Sequence, residues 1–169
     1  APAANGGIKI DKTAHTGVEG LYACGEATGG MHGADRIGGL SSANGIVFGR
    51  IAGASAALAA QKEPEAALKA DITLPQYGIA TTDAEHLTRS LKHTMSTYCM
   101  INRTETGLSE ALHELEGLKT EATTLSTQKA QDSEVAALAR LQSQIQLAQE
   151  MIKAMRKRTE SLGSHYRAD

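Results

Sequence analysis

Apolar positions recur every three or four residues through the second half of the chain. Ala84, Leu87, Leu91, Met95 and Tyr98 share one face. Leu108, Leu112, Leu115, Leu118, Ala122 and Leu125 share a second, and Val135, Leu138, Leu141, Ile145, Ala148, Ile152 and Met155 a third. That spacing is the period of a helix with one buried stripe, so three amphipathic helices are predicted. Asp83, after Thr81 and Thr82, offers the first a start, and Ser133 lies near the start of the third. Three such helices with short joints pack most simply as an antiparallel bundle. Periodicity alone carries no chemistry, and structural support is the default role of such a bundle.

The first half follows a different grammar. Gly7-Ile8-Lys9-Ile10-Asp11 alternates apolar and polar residues and predicts a short strand. Residues 13–17 read as a turn. Leu21-Tyr22-Ala23-Cys24 is a short apolar run that stops at Gly25 and predicts a buried strand. A glycine-rich loop spans residues 25–39. Ser41-Ser42-Ala43-Asn44 then precedes an apolar segment reaching residue 60, and a serine there is a good helix N-cap. Residues 61–80 contain Pro64, Pro75 and Gly78 and read as a connector, with a helical stretch at residues 65–69. The expected fold class is α+β: an α/β fragment at residues 1–60, a linker at 61–81 and a helical domain at 82–169.

Composition narrows the function. The chain has 169 residues and a formal net charge of -2, so no strong field steers it to nucleic acid or an anionic membrane. Four tyrosines, one phenylalanine and no tryptophan leave few platforms for stacking bases, so no nucleic-acid partner is expected. Cys24 and Cys99 lie far apart, without metal-like spacing or a disulfide framework; a reducing, cytoplasmic compartment and no metal site are expected. The longest apolar stretch, residues 46–60, is interrupted by Gly49, Arg50 and Gly53, so no bilayer-spanning run is expected. The chain opens on Ala1, as expected of a fragment or a processed product.

The chemistry concentrates in residues 16–53. A strand ending at Gly25-Glu26 sets an acid at the carboxyl edge of a sheet, where α/β folds bind ligands. Such an acid can accept hydrogen bonds from ribose-type hydroxyls. Glycines at 29, 30, 33, 38 and 39 let backbone approach a flat cofactor closely. The helix starting near Ser41 aims unpaired N–H groups and partial positive charge at the same loop, which would favour negative charge on a ring system. Arg36 offers a forked cation suited to a carboxylate. Singly, each has a plainer reading: Glu26 as a solvated turn acid, Arg36 as a structural ion pair, the glycines as turns.

Their order is more specific. Gly20-Leu21-Tyr22-Ala23-Cys24-Gly25-Glu26, then His32-Gly33-Ala34-Asp35-Arg36, then Val47-Phe48-Gly49-Arg50, resembles the second FAD-binding region of the fumarate reductase, succinate dehydrogenase and L-aspartate oxidase flavoproteins. Arg158-Thr159-Glu160-Ser161-Leu162-Gly163-Ser164-His165-Tyr166-Arg167-Ala168-Asp169 resembles the closing signature of that family.

The resemblance implies FAD as cofactor and a hydride passed between flavin N5 and a C4 dicarboxylate. It implies that Glu26 holds the ribityl or ribose region and that Ser41 and Ser42 contact the isoalloxazine. Arg36 would grip a substrate carboxylate beside the flavin, with Gly25, Gly38 and Gly39 completing the cofactor site. His32 is expected to shape the loop, and His165 and Tyr166 to dock the tail. His86, His93 and His113 have no ligand spacing and read as surface or bundle residues. The resemblance also implies an iron–sulfur partner subunit and, through it, attachment at the inner face of a membrane. Fumarate reductase or succinate dehydrogenase leads, and L-aspartate oxidase is the alternative. A helical module that binds a partner subunit without catalysis is the reading from another class.

The chain also departs from the family pattern. Asp35 stands where Asn is usual, an acid next to the carboxylate-binding Arg36. The histidine expected shortly before Gly6-Gly7 is missing, and Leu162 replaces a common Arg. No Gly-x-Gly-x-x-Gly for the FAD pyrophosphate occurs. Of a capping domain only a last strand, within residues 1–11, is expected. The chain is therefore expected to need preceding FAD-binding and capping segments and to be inactive alone.

Overall fold

The computed structural model of the chain describes residues 6–33, 35–62, 81–124 and 132–169, with side chains omitted at 81, 82 and 132–135. Its elements run β1 (Ile8–Lys9), a 3-10 turn (Gly25–Ala27), β2 (Thr28–Gly29), α1 (Leu40–Ala60), α2 (Thr81–Tyr98), β3 (Asn102–Arg103), α3 (Glu105–Thr124), α4 (Asp132–Lys157) and β4 (Tyr166–Arg167). The chain divides into two compact units, Ala1–Ala70 and Asp71–Asp169. The helical stretch expected at residues 65–69 lies outside the described residues, as does Leu125.

In the helical unit the three predicted stripes meet. Leu87, Leu108, Leu115, Leu138, Leu141, Ile145 and Ile152 are almost completely buried, and Met95, Tyr98, Leu112, Leu118 and Met155 pack around them. Each such side chain withdrawn from water contributes about 1.5–3 kcal/mol before chain entropy is set against it. Polar links run between the helices. Thr94 donates from Oγ1 to Glu114 Oε2 at 2.5 Å, and the Tyr98 hydroxyl donates to Glu114 Oε1 at 3.3 Å.

Antiparallel order is expected of the three helices; the short strands of this half pair in parallel. β3 and β4 are paired in parallel, Asn102 opposite Tyr166 and Arg103 opposite Arg167. β1 and β2 are parallel as well, and antiparallel contact among the described residues is limited to the isolated bridges His15–Tyr22 and Leu162–His165. The reason is local: the closing segment comes back alongside the α2–α3 connection in the same direction as β3.

That closing segment is tied down by backbone and charge. Tyr166 N–H donates to Ile101 O at 3.0 Å, and Ala168 N–H to Arg103 O at 2.9 Å. The Asp169 carboxylate accepts the Glu105 N–H at 2.8 Å and so serves the first turn of α3, where an acid is favoured. Arg167, its side chain 7% exposed, pairs with both Glu105 and Asp169, and Arg156 pairs with Glu105. His165 is buried and docks the tail as expected; Tyr166 docks through its backbone, because its side chain is half exposed.

In the first unit, Ile8 pairs with Thr28 and Lys9 with Gly29. The approach is close: a Cβ on Gly29 would lie 2.6 Å from the backbone of Gly6 and Gly7, so only glycine lets these segments meet. The strand expected at residues 21–24 does not form. Tyr22 makes only the bridge to His15, Ala23 N–H donates to Ala14 O, and Leu21 is 49% exposed. An apolar run of four residues has no ladder here to extend it.

α1 begins earlier than its serines suggest and continues through Gly49, Arg50 and Gly53 without a break. The expectation of no bilayer-length apolar segment is corrected accordingly. Over 21 residues with a mean hydropathy of 1.2, α1 is long and apolar enough to cross a membrane by length and composition alone. It is apolar on every side, with Ile46 74% and Leu58 60% exposed, and has no polar stripe to face water.

Candidate functional site

Asp11 organises the turn at residues 11–15 that precedes the glycine-rich loop. Its Oδ1 accepts from Thr13 N–H at 2.8 Å, Thr13 Oγ1 at 2.7 Å and His15 N–H at 3.0 Å. The Thr13 hydroxyl, then the backbone of His15 and Thr13, hold the Asp11 carboxyl below the usual carboxylate range. This turn seats Ala14, fully buried, against Ala23 and sets the level of the following segment.

Gly25 and Glu26 sit in the 3-10 turn, not at the tip of a strand. The Thr28 hydroxyl closes the turn on Gly25 O at 2.7 Å, and the turn packs against α1. Cys24 reaches α1 directly: its Sγ would lie 3.9 Å from a Cβ on Gly49. The small residues at 24 and 49 therefore bring turn and helix together. Glu26 is on the exposed side of the turn.

The loop then runs into α1. The Asp35 carboxylate accepts the Arg36 N–H at 2.7 Å. Arg36 is half-buried, and Gly38 and Gly39 are exposed. The N-cap is Gly39, in the left-handed conformation with φ 88°, and no side chain caps the helix. The prediction of a serine cap is thus corrected: Ser41 and Ser42 lie inside the first turn, Ser41 half-buried and Ser42 exposed. A left-handed cap needs glycine, and it leaves the first-turn N–H groups without a side-chain acceptor.

Two side-chain atoms complete the arrangement, one on His32, expected to shape the loop, and one on Asn44, to which sequence reasoning gave no role. Among the described residues, Asn44 Oδ1 and His32 Nε2 are buried without a hydrogen-bond partner. A helical side chain leans toward the N-terminus, so Asn44 lies over the turn made by Leu40 and Ser41. Its signal was visible as a polar residue opening an otherwise apolar segment. Gly38 adds another indication: its φ is not left-handed and nothing lies within 4 Å of a Cβ there, so the chain's own packing does not require glycine. The uncapped N–H groups of the helix start call for acceptors and partial negative charge, the buried Asn44 Oδ1 calls for a donor, and the open glycine surface fits a flat ligand that carries both. The helical unit has an open groove of its own, about 450 Å³, lined by His86, Arg89, Ser90, His93, Thr94 and Glu114.

Comparison with known proteins gives this geometry a family. Residues 88–169 match the family model described as fumarate reductase flavoprotein C-term, and residues 1–42 match the model described as FAD binding domain. An FAD-dependent oxidoreductase of Methanocaldococcus jannaschii is 33% identical over 97% of this chain and 31% of its own length. The L-aspartate oxidase of Acinetobacter baylyi is 31% identical over 97% of this chain and 30% of its own length. Among solved structures, E. coli quinol fumarate reductase superimposes with a TM-score of 0.80 at 27% identity, over 96% of this chain and 30% of that one. The chain therefore spans about a third of the length of such relatives. It belongs to the fumarate reductase, succinate dehydrogenase and L-aspartate oxidase family of FAD flavoproteins, and corresponds to the carboxy-terminal part of its members.

Proposed function

We propose that this chain closes the flavin site of an oxidoreductase that moves a hydride between FAD and a C4 dicarboxylate of the fumarate/succinate kind. The observation that carries the reading is the uncapped start of α1 at Gly39, three residues after Arg36. Bound FAD supplies the hydride chemistry. The chain's residues do the rest: Glu26 holds the ribityl or ribose hydroxyls, and Gly25, Gly38 and Gly39 let backbone lie against the cofactor. Ser41 and Ser42 offer hydroxyls and N–H groups to the ring from the first turn of α1, whose positive end favours negative charge there. Arg36 binds and orients a carboxylate with its forked donors.

On this reading residues 1–60 are the end of an FAD-binding domain, with the last strand of a capping domain inside residues 1–11. Residues 61–81 form a linker and residues 82–169 the helical domain. α1, with exposed Ile46 and Leu58 and no polar stripe, is covered by the FAD-binding and capping segments that the chain is proposed to need. The helices of the second unit run as an antiparallel bundle; Glu105 meets Arg156 and Glu116 meets Gln149, so the partner number falls along α4 as it rises along α3. An iron–sulfur subunit exchanges electrons with the flavin and holds the protein at the inner, cytoplasmic face of a membrane.

L-aspartate oxidation is the second reading, favoured by the Acinetobacter baylyi relative. The test is Arg36→Ala in the protein at the length of its relatives. Turnover and dicarboxylate affinity should fall at least about tenfold while FAD stays bound. Loss of FAD with unchanged dicarboxylate affinity contradicts the role. Turnover of aspartate but not of fumarate or succinate selects the second reading. Failure to bind FAD at all leaves a partner-binding module without catalysis.

A further inference from the structure

His165 is buried in the helical unit, and both of its ring nitrogens have partners. Nδ1 faces Nη1 of Arg103, and Nε2 faces the backbone carbonyl of Arg158 at 2.8 Å. These partners locate the proton. A guanidinium only donates, so Nδ1 must accept; a carbonyl only accepts, so Nε2 must donate. His165 is thus held as the neutral Nε2–H tautomer, and a second proton would stand on Nδ1 against a guanidinium.

Arg103 is fixed in place. Its Nε and Nη2 donate to Cys99 O at 3.3 and 3.2 Å, tying it to the end of α2. The charged groups acting on His165 are Arg103 from β3, Arg158 beyond α4 and Arg167 from β4, all cations. The Cys99 thiol, pushed up to about 11 chiefly by burial, is neutral. Two acids of the same end of the unit, Glu105 and Asp169, are paired with Arg156 and Arg167.

We propose that His165 is an acid-released latch. Protonation of Nδ1 breaks the contact with Arg103, lets residues 158–169 lift from β3, and uncovers the start of α3 that Asp169 caps. Burial, followed by the three guanidinium groups, holds the imidazole below the usual histidine range, and its bond to Arg158 offsets part of this. The latch is therefore fully closed above the unfolded histidine value of about 6.5 and opens as pH falls through the lower folded value. Ionised Asp169 and Glu105 keep their pairs in that range, because their carboxyls are held below the usual carboxylate range.

Amide hydrogen exchange of the chain, corrected for intrinsic rate, tests this between about pH 7.5 and about pH 5. Protection at Glu105, Tyr166 and Ala168 should fall at least about tenfold, and that at Leu115 and Ile145 should not. His165→Asn keeps an acceptor near Nδ1 and removes the titration, so it should abolish the pH dependence even where it loosens the tail throughout. Nitrogen-15 spectra of the His165 ring need no variant and should show a proton on Nε2, none on Nδ1, and titration below the ordinary histidine value. A proton on Nδ1, titration at or above that value, or the same pH dependence in His165→Asn overturns the latch.

Discussion

The Asp35 carboxylate accepts the backbone N–H of Arg36 at 2.7 Å. The acid that departs from the family pattern therefore holds the main chain of the neighbouring cation. Its charge still lies next to the site proposed for a substrate carboxylate. Asp35→Asn keeps the acceptor and removes the charge. In the protein at the length of its relatives it should leave FAD content unchanged and tighten dicarboxylate binding by about threefold, the scale of one solvated charge several ångströms away. Equilibrium binding of a dicarboxylate at low and high salt checks this, and the gain should shrink with salt.

Gly38 and Gly39 are neighbours with different reasons to be glycine. Gly39 holds φ 88° at the cap of α1, so Gly39→Ala should destabilise the first unit by about 1–2 kcal/mol, read by urea unfolding. Gly38 has open space around it and no left-handed φ, so Gly38→Ala should leave stability unchanged. If the cofactor lies against that backbone, Gly38→Ala should nonetheless lower FAD affinity. Equal losses of stability from both variants would remove Gly38 from the cofactor surface.

Leu115 is fully buried where α3 meets its neighbours. Leu115→Ala should destabilise the helical unit by about 2–5 kcal/mol, the range for a leucine whose surroundings collapse only in part. Denaturant unfolding followed by helical circular dichroism measures it. A loss below about 1 kcal/mol would mean that the three stripes do not share one core.

The charge network at the end of the chain adds a second, lower pH window. The Arg167 guanidinium, then the Glu105 N–H, hold the Asp169 carboxyl far below its ordinary value; the Arg156 guanidinium holds Glu105 down as well. Both shifts are depressions, so the stability they contribute is fully present above the unfolded values of about 4 and is lost as pH falls through the folded ones. Asp169→Asn should flatten that lower window and leave untouched the one governed by His165. Exchange protection at Glu105, followed from about pH 5 downward, separates the two.

The helical unit was legible because its stripes are long. Apolar repeats that persist over several turns of α3 and α4 outweigh local ambiguity, and the structure buries or half-buries the described residues of those stripes. The first unit was legible as chemistry more than as structure. The loop, its acid, its arginine and the helix after it were read in order, yet the strand at residues 21–24 and the serine cap were not found. Four apolar residues look the same in a strand and in a bridge, and they become a strand only with neighbours on both sides. The cap was misplaced because Ser41 satisfies the side-chain rule for an N-cap, whereas Gly39 caps through backbone conformation, which leaves no side-chain signature. Asn44 escaped notice for a related reason: a single polar residue in an apolar run gains meaning only when its oxygen is found buried and unpartnered.

The central proposal is that the 3-10 turn and the start of α1 wrap a flavin. Titration of FAD into the protein at the length of its relatives, wild type against Glu26→Ala, tests it most directly. Visible absorbance and flavin fluorescence should show FAD bound by the wild type and held at least about tenfold more weakly by Glu26→Ala, with the helical unit's melting unchanged. Identical FAD affinity in the two proteins would contradict the account.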